Sequence, residues 1–117
     1  MDGVEERRRH KRVPVDISGE LAFGDAGYPV RVVDLSLGGA LLEGDSKFTW
    51  PEMGDLVVVR MSMAGRKINL FAMLVRREGN KAGVTFESVD LGNETQLARF
   101  VHEQDRRILK AHLHLLG

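Results

Sequence analysis

Beyond residue 12 the chain alternates apolar and polar side chains. Val13, Val15, Ile17, Gly19, Leu21 and Phe23 fall on one side, Asp16, Ser18 and Glu20 on the other. A period of two predicts a strand with one buried face. Gly24-Asp25-Ala26-Gly27 is a turn signal. Residues 28–35, with Val30, Val32 and Val33, predict a second strand. Gly38-Gly39 breaks it, and residues 40–42 follow as a short third strand. Residues 43–53, rich in turn formers and holding Pro51, read as a loop. Residues 55–63 form a fourth strand, Ala64-Gly65 a tight hairpin turn, and residues 67–77 a fifth strand that pairs back. Gly79-Asn80 turns the chain into a sixth strand over 82–86. The period changes near Asn93, where Asn93 and Gln96 stand three apart as in a variant capping box. Leu97, Phe100, Val101, Ile108, Ala111 and Leu115 keep helical spacing, so one helix fits about 93–115. Six short strands with no helix between them imply an antiparallel sheet, closed or folded on itself. The terminal helix must bury its apolar stripe against that sheet or against a partner.

Composition narrows the function classes. A length of 117 residues suggests one domain. With 43% hydrophobic and 29% charged residues, the bulk of the chain has the balance of a globular fold and not of a disordered segment. Lys+Arg and Asp+Glu both number 17, which argues against a general nucleic-acid binder, a class that carries a basic excess. No run of about 18 apolar residues is present, so no membrane span is expected. MDGVEERRRHKR has no apolar stretch behind its charges, unlike a secretory signal, and a cytoplasmic location is expected. The absence of cysteine removes disulfide scaffolds, thiol catalysis and Cys-ligated zinc. His102, His112 and His114 lack a zinc-site spacing on a helix, so no metal site is expected. Residues 1–12 hold five basic side chains, Arg7, Arg8, Arg9, Lys11 and Arg12, against three acidic ones. With Val4 as their one aliphatic side chain, residues 1–12 are expected to form a flexible arm ahead of a folded domain over 13–117.

Two clusters carry candidate chemistry. Arg8 and Arg12 stand four apart and share a face of an extended chain. Two guanidinium forks on one side can grip guanine O6 and N7, or paired phosphate oxygens. The bland reading is a solvated basic tail. Asp34 and Ser36 stand two apart at a strand end and should point the same way, with Leu35 and Leu37 on the opposite, apolar side. A carboxylate accepts two N–H groups at once, which the Watson–Crick edge of guanine supplies. Gly39 would permit positive φ and close approach of a ligand to the backbone. The bland reading is a polar turn in which Asp34 and Ser36 bond their own backbone. No histidine lies within local reach of Ser36 and Asp34 to orient a triad, so catalysis is not expected.

The combination is more specific. Arg8-x-x-x-Arg12, followed 22 residues later by Asp34-x-Ser36-x-x-Gly39, resembles the PilZ domain, a bacterial receptor module for cyclic di-GMP. Gly83-Val84-Thr85-Phe86 and the terminal amphipathic helix are also similar to that family, so the likeness covers nearly the whole chain. The resemblance implies an all-β fold with a terminal helix: a six-stranded antiparallel β-barrel plus a C-terminal α-helix. It implies that Arg8 and Arg12 grip guanine and phosphate, that Asp34 and Ser36 hold a guanine edge, and that Gly39 keeps the ligand surface clear. Arg7, just before the first motif arginine, resembles members that bind the nucleotide as an intercalated pair. Arg9, His10 and Gly38 are secondary candidates. The implied protein is a stand-alone, non-enzymatic receptor in which the nucleotide orders the arm over the barrel and alters contact with a downstream protein. The alternative is an adapter of the same fold that binds no nucleotide.

Overall fold

Val13, Ile17 and Leu21 are buried while Pro14, Asp16 and Ser18 face outward, so the alternation of the first strand survives folding. The computed structural model describes residues 11–45, 49–63, 65–88 and 91–116, with backbone alone for 88, 91, 109 and 111–116. Its elements are β1 (Val13–Phe23), β2 (Ala26–Leu35), β3 (Gly39–Glu43), β4 (Leu56–Met63), β5 (Arg66–Glu78), β6 (Lys81–Ser88) and α1 (Leu91–Leu116). The strands pair antiparallel in the order β1-β2-β3-β6-β5-β4, and β4 closes back on β1. Closure leaves no unpaired edge, the stable solution for short strands with a single apolar face.

The elements are those expected, and the bounds move for local reasons. Gly24 takes φ 61°, which lets Gly24-Asp25 turn alone, so Ala26 already pairs with Phe23 and β2 starts earlier than residue 28. The helix begins at Leu91, which puts Asn93 inside it. The expected capping box is therefore replaced by a tether, in which the Asn93 amide donates to the Asn69 carbonyl of β5 at 3.2 Å. Phe23 is exposed, because β1 runs past the core at that end.

Inward side chains from every strand fill the barrel, among them Leu21, Val32, Leu42, Val59, Leu70, Leu74 and Val84. Leu97 and Val101 of α1 join them with Phe100 packed alongside, so the first turns of the helical stripe are buried against the sheet, whereas Ile108 of the same stripe is 41% exposed. Trp50 is buried too, and its Nε1 donates to the Gly79 carbonyl at 3.2 Å. Trp50-Pro51 is thereby a packed corner. No helix among the described residues is long and apolar enough to cross a membrane.

Four register shifts break the regular ladder among the described residues, at Pro14/Ile17 in β1, Val32/Asp34 in β2, Leu74/Arg76 in β5 and, opposite Phe71/Ala72, at Glu87 in β6. Each gives one strand an extra residue, which re-aims the side chains that follow.

Candidate functional site

Asp34 owes its direction to one of these bulges. Val32 pairs with Leu42 and Asp34 with Leu41, so Val33 has no counterpart on β3. Val32 points inward, Asp34 outward, and Leu35 is fully buried again. The Asp34 side chain keeps 28% of its surface exposed, yet its Oδ1 is enclosed and accepts no hydrogen bond from the described residues. Its Oδ2 lies 3.9 Å from Arg12 Nη1, a loose ion pair with a guanidinium that is itself 65% exposed. An enclosed carboxylate oxygen without a donor is costly, and native structures seldom leave one without a partner.

Ser36 behaves differently. Its backbone N–H donates to the Gly39 carbonyl at 2.9 Å. Its Oγ accepts from the backbone N–H of Gly38 at 3.1 Å and of Gly39 at 3.2 Å, and the hydroxyl donates to the Gly39 carbonyl at 3.3 Å. The side chain is 6% exposed. The hydroxyl thus closes a turn and fixes the loop between β2 and β3, as the bland reading expected. Leu37 is corrected as well. It does not share the buried side with Leu35 but is 38% exposed, because the chain turns after Leu35.

Gly39 is needed for another reason than the one expected. Its φ is not positive; that conformation occurs at Gly24, Gly54, Gly65 and Gly79. Gly39 pairs with Thr85, and a Cβ there would overlap the Val84 carbonyl oxygen. The residue permits close approach of β6. Gly38 accepts from the Phe86 N–H at 2.9 Å and so extends the same pairing.

A cavity of about 590 Å³ opens over these residues. Arg12, Asp34, Ser36, Gly38 and Gly39 line one side, and Val75 and Arg76 of β5 the other, with Gly83 and Thr85 of β6 between. The size falls in the range of about 300–1,000 Å³ typical of small-molecule sites. The register explains the assembly. Asp34 pairs with Leu41, Leu41 with Gly83, and Gly83 with Arg76, so one rung crosses four strands from a carboxylate to a guanidinium. Arg76 and Val75 escaped the sequence reading. The alternation of β5 assigned them to opposite faces, whereas the bulge turns both outward. Among the described residues the charged groups along the cavity are two guanidiniums and one carboxylate, which suits an anionic ligand that also offers N–H donors.

Of the other sequence candidates, Arg7, Arg8, Arg9 and His10 lie outside the described residues. Lys11, adjacent to Arg12, reaches the opposite way and pairs with Asp105 of α1 at 3.1 Å. Among the described residues no group of three His, Asp or Glu side chains is placed to hold a metal ion.

Comparison with known proteins follows the same line. The family model described as PilZ domain matches residues 6–103. The chain is similar in structure to the PilZ domain of CeSA from a cellulose-synthesising bacterium, with 24% identity and a TM-score of 0.68 over 81% of this chain and 98% of that one. It is similar to the PilZ domain of YcgR from Escherichia coli, solved with c-di-GMP, with 20% identity and a TM-score of 0.73 over 91% and 97% of the two chains. It is also similar to the inhibitor of motility MotI/DgrA of Bacillus subtilis, with 15% identity and a TM-score of 0.73 over 89% of this chain and 52% of that one. At these identities the structural likeness is one of fold. No curated protein sequence matches the chain.

Proposed function

The chain belongs to the PilZ domain family, and from that premise we propose that it is a non-enzymatic receptor for cyclic di-GMP. The observation that carries the reading is Asp34 on the wall of the cavity, whose Oδ1 has no donor among the described residues. Guanine N1–H and N2–H are the donor pair such a carboxylate lacks. Arg12, within 3.9 Å of the same carboxylate, is free to exchange that loose pair for guanine O6 and N7 or for a phosphate. Arg8 would supply the second fork, and Arg7 a third guanidinium for a second, intercalated nucleotide. Ser36 supports the site by holding the turn that carries Gly38 and Gly39.

In this reading the nucleotide draws residues 1–12 across the mouth of the cavity. Ordering the arm is the response, and its extent is limited by the ligand's difference in affinity between the open and ordered states. The downstream partner is a protein that reads the rearranged arm. A second reading, an adapter that binds no nucleotide, draws support from Leu56, Phe71 and Val75, exposed apolar side chains of β4 and β5.

Calorimetric titration of the folded protein with cyclic di-GMP separates the two. Heat saturating at micromolar nucleotide is expected, and Arg12→Ala should weaken it. The ligand-to-protein ratio should fall in Arg7→Ala if nucleotide binds as a pair. A folded sample that gives no heat excludes the receptor.

A further inference from the structure

Arg76 is a cavity residue that neither the arginine arm nor the Asp34 loop accounts for. Its neighbours are organised. The bulge between Leu74 and Arg76 breaks the alternation of β5, so Leu74 is fully buried while Val75 and Arg76 both face out along the cavity. Without the bulge, Arg76 would take the inward phase of the strand. Opposite Arg76 stands Gly83. A Cβ on Gly83 would lie 3.6 Å from Arg76 Cβ and 3.9 Å from Arg76 Nε. The stem of the arginine therefore lies along the sheet, over the bare backbone of Gly83, and does not stand away from it. Arg77 next to it is committed, with Nη2 3.8 Å from Glu52 and Nη1 donating to the Pro51 carbonyl. Arg76 has no carboxylate within ion-pair distance among the described residues.

The rung from Asp34 through Leu41 and Gly83 to Arg76 spans three strand spacings, about 14 Å at roughly 4.8 Å each. A flat ring whose edge meets Asp34 and that extends along this rung lies over Leu41 and Gly83, where the guanidinium is part of the floor. A guanidinium presents a planar face that stacks on aromatic rings, and an ammonium does not. We propose that Arg76 is a further ligand-binding residue of the site, stacking its guanidinium face beneath a purine of the bound nucleotide. This rests on the cyclic di-GMP reading and adds to it a contact from the opposite wall.

The test is titration of the full chain with cyclic di-GMP, comparing wild type, Arg76→Ala, Arg76→Lys and Arg76→Phe, each checked for folding by circular dichroism. Arg76→Ala should weaken binding about tenfold, within what truncating a base-stacking side chain costs. Arg76→Lys keeps the charge and loses the plane, and should fall with the alanine variant. Arg76→Phe keeps a plane without charge, and should bind within about threefold of wild type, since stacking tolerates any flat apolar partner. Lysine binding like wild type, phenylalanine falling to the alanine level, or alanine binding like wild type would each overturn the stacking role. Failure of wild type to bind would instead remove the receptor reading, and this proposal with it.

Discussion

Asp34→Ala should make the free protein slightly more stable while it disables the site. The substitution removes two opposing effects. The pair with Arg12 is lost, but at 3.9 Å between side chains 65% and 28% exposed it resembles a surface ion pair, worth about 0–1 kcal/mol. The enclosed Oδ1, without a donor among the described residues, is also removed, and an unsatisfied buried polar group costs about 1–3 kcal/mol. The difference favours the variant by about 1 kcal/mol, with a rise in Tm of about 4 °C for a domain of this size. Binding should move the other way. Losing a charged acceptor for two N–H donors costs about 1.5–3 kcal/mol, or roughly 10- to 150-fold in Kd. The assay pairs thermal denaturation without ligand with calorimetric titration of cyclic di-GMP. Asp34→Asn adds a check on selectivity: its amide sets N–H groups against the donor edge of guanine but complements adenine, so discrimination against cyclic di-AMP should narrow. A loss of 1 kcal/mol or more of stability in Asp34→Ala would refute the argument, because it would mean that the carboxylate braces the turn.

Gly39→Ala should destabilise by about 1–3 kcal/mol, because the new Cβ meets the Val84 carbonyl and β3 must part from β6; an unchanged urea midpoint would contradict this. Ser36→Ala strips the Gly38 and Gly39 N–H groups of their acceptor and should cost about 0.5–2 kcal/mol, as a lost cap does. If Ser36 acts only through the turn, Ser36→Thr, which keeps the hydroxyl, should restore both stability and nucleotide affinity; rescue of stability alone would point to direct ligand contact. Leu74→Ala empties a fully buried position between the site and the core and should cost about 2–5 kcal/mol by chemical denaturation, whereas a loss under about 1 kcal/mol would mean that the core collapses around the gap.

Much of this architecture is written locally. A period of two from Val13 to Leu21, the valines of β2 and β4, and the helical spacing of Leu97 and Val101 are properties of neighbouring residues, and side chains that alternate along a strand sort themselves by face. The turn at Ser36 was legible for the same reason, since its hydroxyl bonds groups two and three residues away. The residue types of Arg12 and Asp34 were legible too, as chemistry without a location. What folding alone decided is which strands become neighbours. The pairing of β3 with β6 sets the reason for Gly39, and the pairing of β6 with β5 brings Arg76 to the rung that begins at Asp34. No local rule carries that information, because a one-residue shift in register exchanges the two faces of a strand. The bulges at Val33 and Val75 are such shifts, and they turn Asp34 and Arg76 toward one cavity from strands that the sequence holds some forty residues apart.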